Sequence, residues 1–230
     1  MTESSSVGHG RLSAIFEIAR ILAEQHDLEA MLGEFLSCLI GTLDAAETGI
    51  LLLYDPAIDR LVVRDARGYD LSSLSQIQVK AGEGMSGRAL ETGVAGLYPT
   101  PSAIAEARRN LTPTTQELFD AATTDLSPPL CAVCVPLIRG EVKVGALVLE
   151  NRGSASPFEA QDLPFLEAVA QLIALSIDNA RLRRELQMVQ ALEEANIPID
   201  YIAGTSAGSI VGGLYALGYP VEAIDSIAQA

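Results

Sequence analysis

The chain has 230 residues, 49% of them hydrophobic, and a formal net charge of −15 at pH 7. That balance supplies a buried core for one full domain and part of another, and it excludes the basic stripe of a nucleic-acid binder and disfavours adsorption to anionic lipid. No run approaches the uninterrupted apolar length of a membrane span, and the polar opening MTESSSVGHGR lacks the apolar block of a signal peptide, so the expected location is cytoplasmic.

Residues 1–11 read as a disordered tail. In 11–24, RLSAIFEIARILAE, the residues Leu12, Ile15, Phe16, Ala19 and Leu22 recur at helical spacing and predict an amphipathic first helix. Asp27 can cap a second helix, LEAMLGEFLSCLIGTL, whose apolar residues nearly encircle it. The period then changes. TGILLLYDPAIDRLVVRDARG reads as strand, Asp-Pro turn and strand. A glycine-spaced turn in IQVKAGEGMSGRALETG feeds a short helix from Ser86, and the polar, proline-bearing residues 99–126 predict two short helical pieces. LCAVCVPLI and VKVGALVLEN are two further strands about the turn RGE. Helix, helix, hairpin, irregular middle, hairpin, helix, with no strand–helix alternation, predicts an α+β domain with an antiparallel sheet and flanking helices.

The next helix carries its own start signal. Ser156-Pro157-Phe158-Glu159 offers an N-cap serine, proline at the first helical position and glutamate three residues after the cap. Leu163, Leu166, Val169, Ala170, Ile173 and Ile177 give the apolar stripe, and the pattern continues through NARLRRELQMVQALEEAN until Pro198. A helix of that length overshoots one small domain, so its far half needs a partner. Leu175, Leu182 and Leu186 extend the stripe and suggest homodimerisation through residues 157–195; the alternative is a helix folded back on its own chain.

Cys38, Cys131 and Cys134 do not make a disulfide framework. Cys131-Ala132-Val133-Cys134 is formally C-x-x-C, but it lies in a buried-strand pattern where residues three apart face opposite sides, so core packing is the reading. His9 and His26 build no metal cluster, and no metal or other cofactor is expected.

With these pieces in order, residues 12–186 resemble a GAF domain, the small-molecule-sensing module of bacterial signalling proteins. The likeness is carried by FEIARIL, the GILLLYD…LVVRDARG hairpin, VKAGEGMSGRALETG, and CVPLI…VKVGALVLEN…SPFEAQDLPFLEAVAQLIALSIDNARL. The resemblance implies an unknown small-molecule ligand between sheet and irregular middle, with Met85, Tyr98, Phe119 and Val133 as candidate walls beside Leu97 and Val135. Core packing is the competing role for the same residues. Asn151-Arg152, Phe158 and Asp162 echo a signature found in GAF domains that bind cyclic nucleotides. It is read here as scaffolding, with Arg152 able to pair with Asp162 and Phe158 plugging the core. Gly82, Gly84 and Gly87 lack the lysine and hydroxyl of a phosphate loop and are read as turn formers.

From about 187 to 230 the chain resembles part of a patatin-like phospholipase: VQALEEANIPIDYIAGTSAGSIVGGLYALGYPVEAIDSIAQ. This is an incomplete strand–elbow–helix segment of an α/β domain. Its GTSAG places Ser206 as candidate nucleophile between Gly204 and Gly208 on the elbow. Patatins use a serine–aspartate dyad and a glycine-rich oxyanion loop. No glycine stands between Gly153 and Gly204, and Asp225 lacks the expected Asp-Gly context. Two functions follow from the two resemblances. The first is a sensor or interaction module carrying an inactive patatin-like remnant. The second is a serine acyl-ester hydrolase, truncated or completed by a partner, with Ser206 as nucleophile.

Overall fold

A computed structural model describes residues 3–24, 27–153, 156–195, 207–221 and 223–224. The chain divides into two units, Met1–Ala174 and Leu175–Ala230.

In the first unit, α1 (Glu3–Glu24) begins well before Arg11, so a helix stands where the sequence suggested an irregular tail. Three serines and two glycines lower helix propensity there, but a helix already nucleated downstream can propagate back through them. Among its described side chains Ala14, Ile18 and Ile21 are buried, whereas Leu12 and Phe16 of the expected stripe are 55% and 69% exposed. The helix has two apolar faces, and the one with smaller side chains is the one turned inward. α2 (Leu28–Thr42) starts where Asp27 accepts the Ala30 N–H at 2.8 Å, as the cap reading requires.

β1 (Thr48–Asp55) and β2 (Arg60–Arg67) form the first hairpin. α3 (Leu71–Leu74), β3 (Gln78–Val79), α4 (Gly84–Thr92), β4 (Gly96–Tyr98), α5 (Pro101–Arg108) and α6 (Pro113–Ala122) make up the irregular middle. Thr100 and Thr112 cap α5 and α6, each followed by proline at the first turn. β5 (Cys131–Arg139) and β6 (Val142–Asn151) form the second hairpin. Among the described residues six strands make one antiparallel sheet, in the order β3-β2-β1-β6-β5-β4. The two hairpins therefore meet at β1 and β6, whose residues are almost all buried.

Strand alternation divides the core. Ile50, Leu52, Ala132, Cys134, Ala146 and Val148 face one side, where they join Met85, Ala89 and Leu90 of α4 and Ile104 and Ala107 of α5. α2 lies over the other side, where a Cβ on Gly49 would touch Leu36 and Ile40. Gly145 permits the closest strand contact: a Cβ there would come within 2.1 Å of the Leu52 carbonyl oxygen.

The C-terminal helix begins later than its sequence signal. A 3-10 turn, Ala160–Asp162, is capped reciprocally by Glu159 and Asp162, and α7 (Leu163–Glu194) follows. Ser156 and Pro157 precede the turn because the Glu159/Asp162 box satisfies the first amides from within. Asp162 also binds Arg11 of α1, whose guanidinium lies over the Phe165 ring. Leu166, Val169, Ala170 and Ile173 are buried as the stripe predicted. Residues 160–192 are long and apolar enough on average to cross a bilayer, which the sequence reading did not expect. The buried stripe and the charged turn RLRR give the same segment the character of a core helix.

In the second unit, Leu182 and Leu186 of α7 pack with Val211 of α8 (Ala207–Ala216) and with Val221 and Ile224. Two of the three leucines expected on a dimer seam are thus covered within the chain, and Leu175 is 42% exposed.

Candidate functional site

Glu150 stands near the end of β6, in the centre of the sheet, and is fully buried. An unpaired carboxylate there would cost several kcal/mol. Both oxygens are paired. Arg108, at the end of α5, donates to Oε1 at 2.6 Å; Arg152 and the Tyr69 hydroxyl donate to Oε2, each at 2.6 Å. Thr48 closes the network by donating to the Tyr69 oxygen at 3.0 Å and accepting from Arg152 Nε at 3.2 Å. Burial, followed by the charge of Glu150, pushes the Tyr69 phenol well above its ordinary range, so it remains a donor. Arg152 lies over the Tyr69 ring at 5.2 Å, and Arg108 over the Phe119 ring at 5.5 Å. One carboxylate faces two guanidiniums, so the cluster carries a net positive charge inside a strongly acidic protein.

A cavity adjoins this cluster beneath α4 and α6. Ile50, Leu52, Met85, Phe119, Val148 and Glu150 contribute to its wall, with Arg108 at one side. Its volume is about 20 Å³, room for one water molecule. A metabolite would need α4 to α6 to move outward.

The glycine loop positions one wall. Gly82 and Gly84 adopt φ of 84° and 61°, and a Cβ on Gly87 would lie 2.0 Å from the Lys80 carbonyl oxygen. The amides of Gly82, Glu83 and Gly87 donate to backbone carbonyls of the loop itself. Gly84 donates to Asn110 Oδ1 at 2.9 Å, and Asn110 Nδ2 returns a bond to the Gly82 carbonyl at 2.8 Å. These bonds hold the loop as a turn.

Met85 and Phe119, named from sequence, come together at the cavity. Tyr98 belongs to the same apolar cluster without lining the cavity, and Val133 lies between Ala132 and Cys134, which face that cluster, so it points to the opposite side of the sheet. Arg152 does not pair with Asp162: it turns back to Glu150, and Asp162 is taken by Arg11 and the Glu159 amide. Phe158 is buried, as expected of a core plug. Sequence reading missed Glu150, Arg108, Tyr69 and Asn110. The available signal was Glu150 itself, a carboxylate inside the apolar run VGALVLEN, which demands cationic partners from elsewhere. Cys134 is sealed in the core and its thiol is pushed up to about 12 by burial, while Cys131 accepts the Phe158 N–H at 3.4 Å. Gly204 and Ser206 lie outside the described residues, and Gly208 is in the first turn of α8.

The architecture is that of GAF domains. It superposes on the GAF domain of an Acinetobacter phosphoenolpyruvate-protein phosphotransferase with a TM-score of 0.61 at 15% identity, covering 79% of this chain and 96% of that one. Free methionine-R-sulfoxide reductase from Neisseria meningitidis gives a TM-score of 0.58 at 19% identity, covering 74% and 90%. The GAF family model matches residues 25–178, and the chain belongs to the GAF family. A patatin-like phospholipase model matches residues 185–230.

Among curated proteins, the Nif-specific regulatory protein of Azospirillum brasilense is 28% identical over 213 residues, 87% of this chain and 32% of that protein. The C-terminal segment is 50% identical over 52 residues to lysophospholipase NTE1 of Kluyveromyces lactis, 23% of this chain and 4% of that protein. The chain spans about a third of the regulatory protein and a far smaller part of the lysophospholipase.

Proposed function

We propose that this chain is a cytoplasmic sensor module whose GAF domain, residues 12–186, binds a small molecule beneath α4–α6. The observation that carries the reading is the cationic cluster around Glu150 beside a cavity walled by Met85 and Phe119. Core positions are ordinarily filled by apolar side chains; a buried acid with two arginines contributes less to stability than such packing would. Its position at a cavity wall suits ligand recognition. The likeness to a regulatory protein over 87% of the chain supports the same reading. Thermal-shift screening of the full chain against a metabolite library tests it: a saturable, Met85- and Phe119-dependent rise in Tm is expected, and a library with no stabilising member would count against it.

Residues 187–230 form, in this reading, a patatin-like segment without hydrolase activity of its own. Ser206 has no glycine loop in the preceding fifty residues to stabilise an oxyanion, and loss of such donors alone lowers turnover by about two to three orders of magnitude. The second reading, a serine esterase with Ser206 as nucleophile, draws on the half-identical match to lysophospholipases across the elbow. Labelling with a fluorophosphonate probe, with Ser206→Ala as control, separates the two: the sensor reading expects no labelling above the control. Pairing of two chains through α7 would rest on Leu175, and a shift of sedimentation coefficient on Leu175→Glu tests it.

A further inference from the structure

The outer side of α5 and α6 carries a second concavity, a groove of about 550 Å³ open to solvent. Pro101 and Ile104 of α5, Gln116 of α6 and Pro128 of the corner before β5 contribute to its wall together with Arg108 and Arg109. Its described lining holds two arginines and no aspartate or glutamate, on a chain where acids outnumber bases 30 to 15. The volume falls in the range of roughly 300–1,000 Å³ typical of small-molecule sites. Pro101 and Pro128 restrict the backbone of that wall, so little order remains to be imposed on binding.

Arg108 belongs to both concavities. One of its terminal nitrogens binds Glu150 in the interior, and the residue also contributes to the groove wall. A guanidinium has five N–H donors in a planar fork, and the bond to Glu150 occupies one nitrogen. Arg109 pairs with Glu106 at 2.7 Å on the open surface, an arrangement weak enough to exchange for a better acceptor.

We propose that this groove is a docking site for a small organic anion, a carboxylate or phosphate of metabolite size, with Arg108 as its specificity-determining contact. The proposal rests on the sensor reading and adds a chemical class of ligand at a groove distinct from the interior cavity. An oxyanion at the groove takes the free edge of the Arg108 fork, and Arg109 supplies a second positive charge at the rim. Since the other edge of that fork holds Glu150, occupancy of the surface is felt at the centre of the sheet. Small size is required: the surrounding negative field of the chain repels a polyanion such as a nucleic acid.

The test is a thermal-shift and calorimetric titration of the full chain with succinate, citrate and glycerol 3-phosphate, paired with the neutral succinamide and glycerol. At least one anion is expected to raise Tm saturably, by about 5 °C near a hundredfold excess over its Kd, and to weaken in high salt. The succinate and phosphate arms distinguish carboxylate from phosphate recognition. Arg108→Gln should abolish the response and Arg109→Gln should weaken it. Arg108→Lys keeps a positive charge opposite Glu150 and should lower affinity at least tenfold; the Tm of each unliganded variant is measured alongside, so loss of binding is told apart from loss of fold. An undiminished response in Arg108→Lys, equal stabilisation by the neutral partners, or no saturable anion binding each overturns the proposal. Stabilisation by neutral library members alone would leave the sensor reading standing while removing the anion.

Discussion

Glu150 holds a different cation on each oxygen, so removing the acid and removing one partner have different costs. Glu150→Ala strands two guanidiniums and should lower stability by about 3–5 kcal/mol in urea unfolding. Arg108→Gln removes the more exposed partner, leaves Oε2 fully paired, and should cost clearly less. Tyr69 adds a pH dependence. Its phenol is raised in the folded protein, so on alkalinisation the unfolded chain gives up its proton first, near pH 10. This stability is complete below about pH 10 and drains away as pH rises toward the folded value. The urea midpoint should therefore fall between about pH 9 and 11 more steeply in the native chain than in Tyr69→Phe. Cys134, with its raised thiol and no exposure, should resist iodoacetamide at pH 8 until the protein is unfolded.

Most of the strands and helices were legible because their signals are local. The two hairpins declare themselves through β-branched and leucine runs around Asp-Pro and Arg-Gly turns, and Asp27, Thr100 and Thr112 supply cap chemistry in place. What misled was choice between equivalent faces. α1 offers Leu12/Phe16 and Ala14/Ile18/Ile21 at the same spacing, and only the distance to α2 decides that the second fits. Periodicity carries no information on that distance. The site was hidden for a related reason: Thr48, Tyr69, Arg108, Glu150 and Arg152 are scattered over a hundred residues; β1 sets Thr48 opposite Glu150 of β6, while Tyr69 comes from beyond β2 and Arg108 from the end of α5. Gly87 was readable in part, as a turn residue, but its real constraint is the Lys80 carbonyl 2.0 Å from where a Cβ would stand. Gly87→Ala should cost about 1–3 kcal/mol by overpacking against backbone. Asn110→Ala, which frees the loop from α5–α6, should cost about 1–2 kcal/mol and broaden the thermal transition.

At the scale of the whole chain, the first unit holds its core without residues beyond α7. Both hairpins, α2 and the buried stripe Leu166, Val169 and Ile173 lie within it. A chain ending at Leu186 should therefore still unfold in one cooperative thermal transition, and calorimetry would show it. The sheet also has a bearing on solution behaviour. ILLLYD and VGALVLEN, two strongly apolar segments, have a composition prone to stack into fibrils, yet they occupy the middle of the sheet with both edges satisfied. The outermost strands, β3 and β4, are two and three residues long, too short to template a neighbour. Protection against amyloid is therefore topological and lasts only while the sheet is intact. Seeded fibril growth should track the unfolded fraction, and added salt should hasten it by screening the fifteen net negative charges that keep opened chains apart.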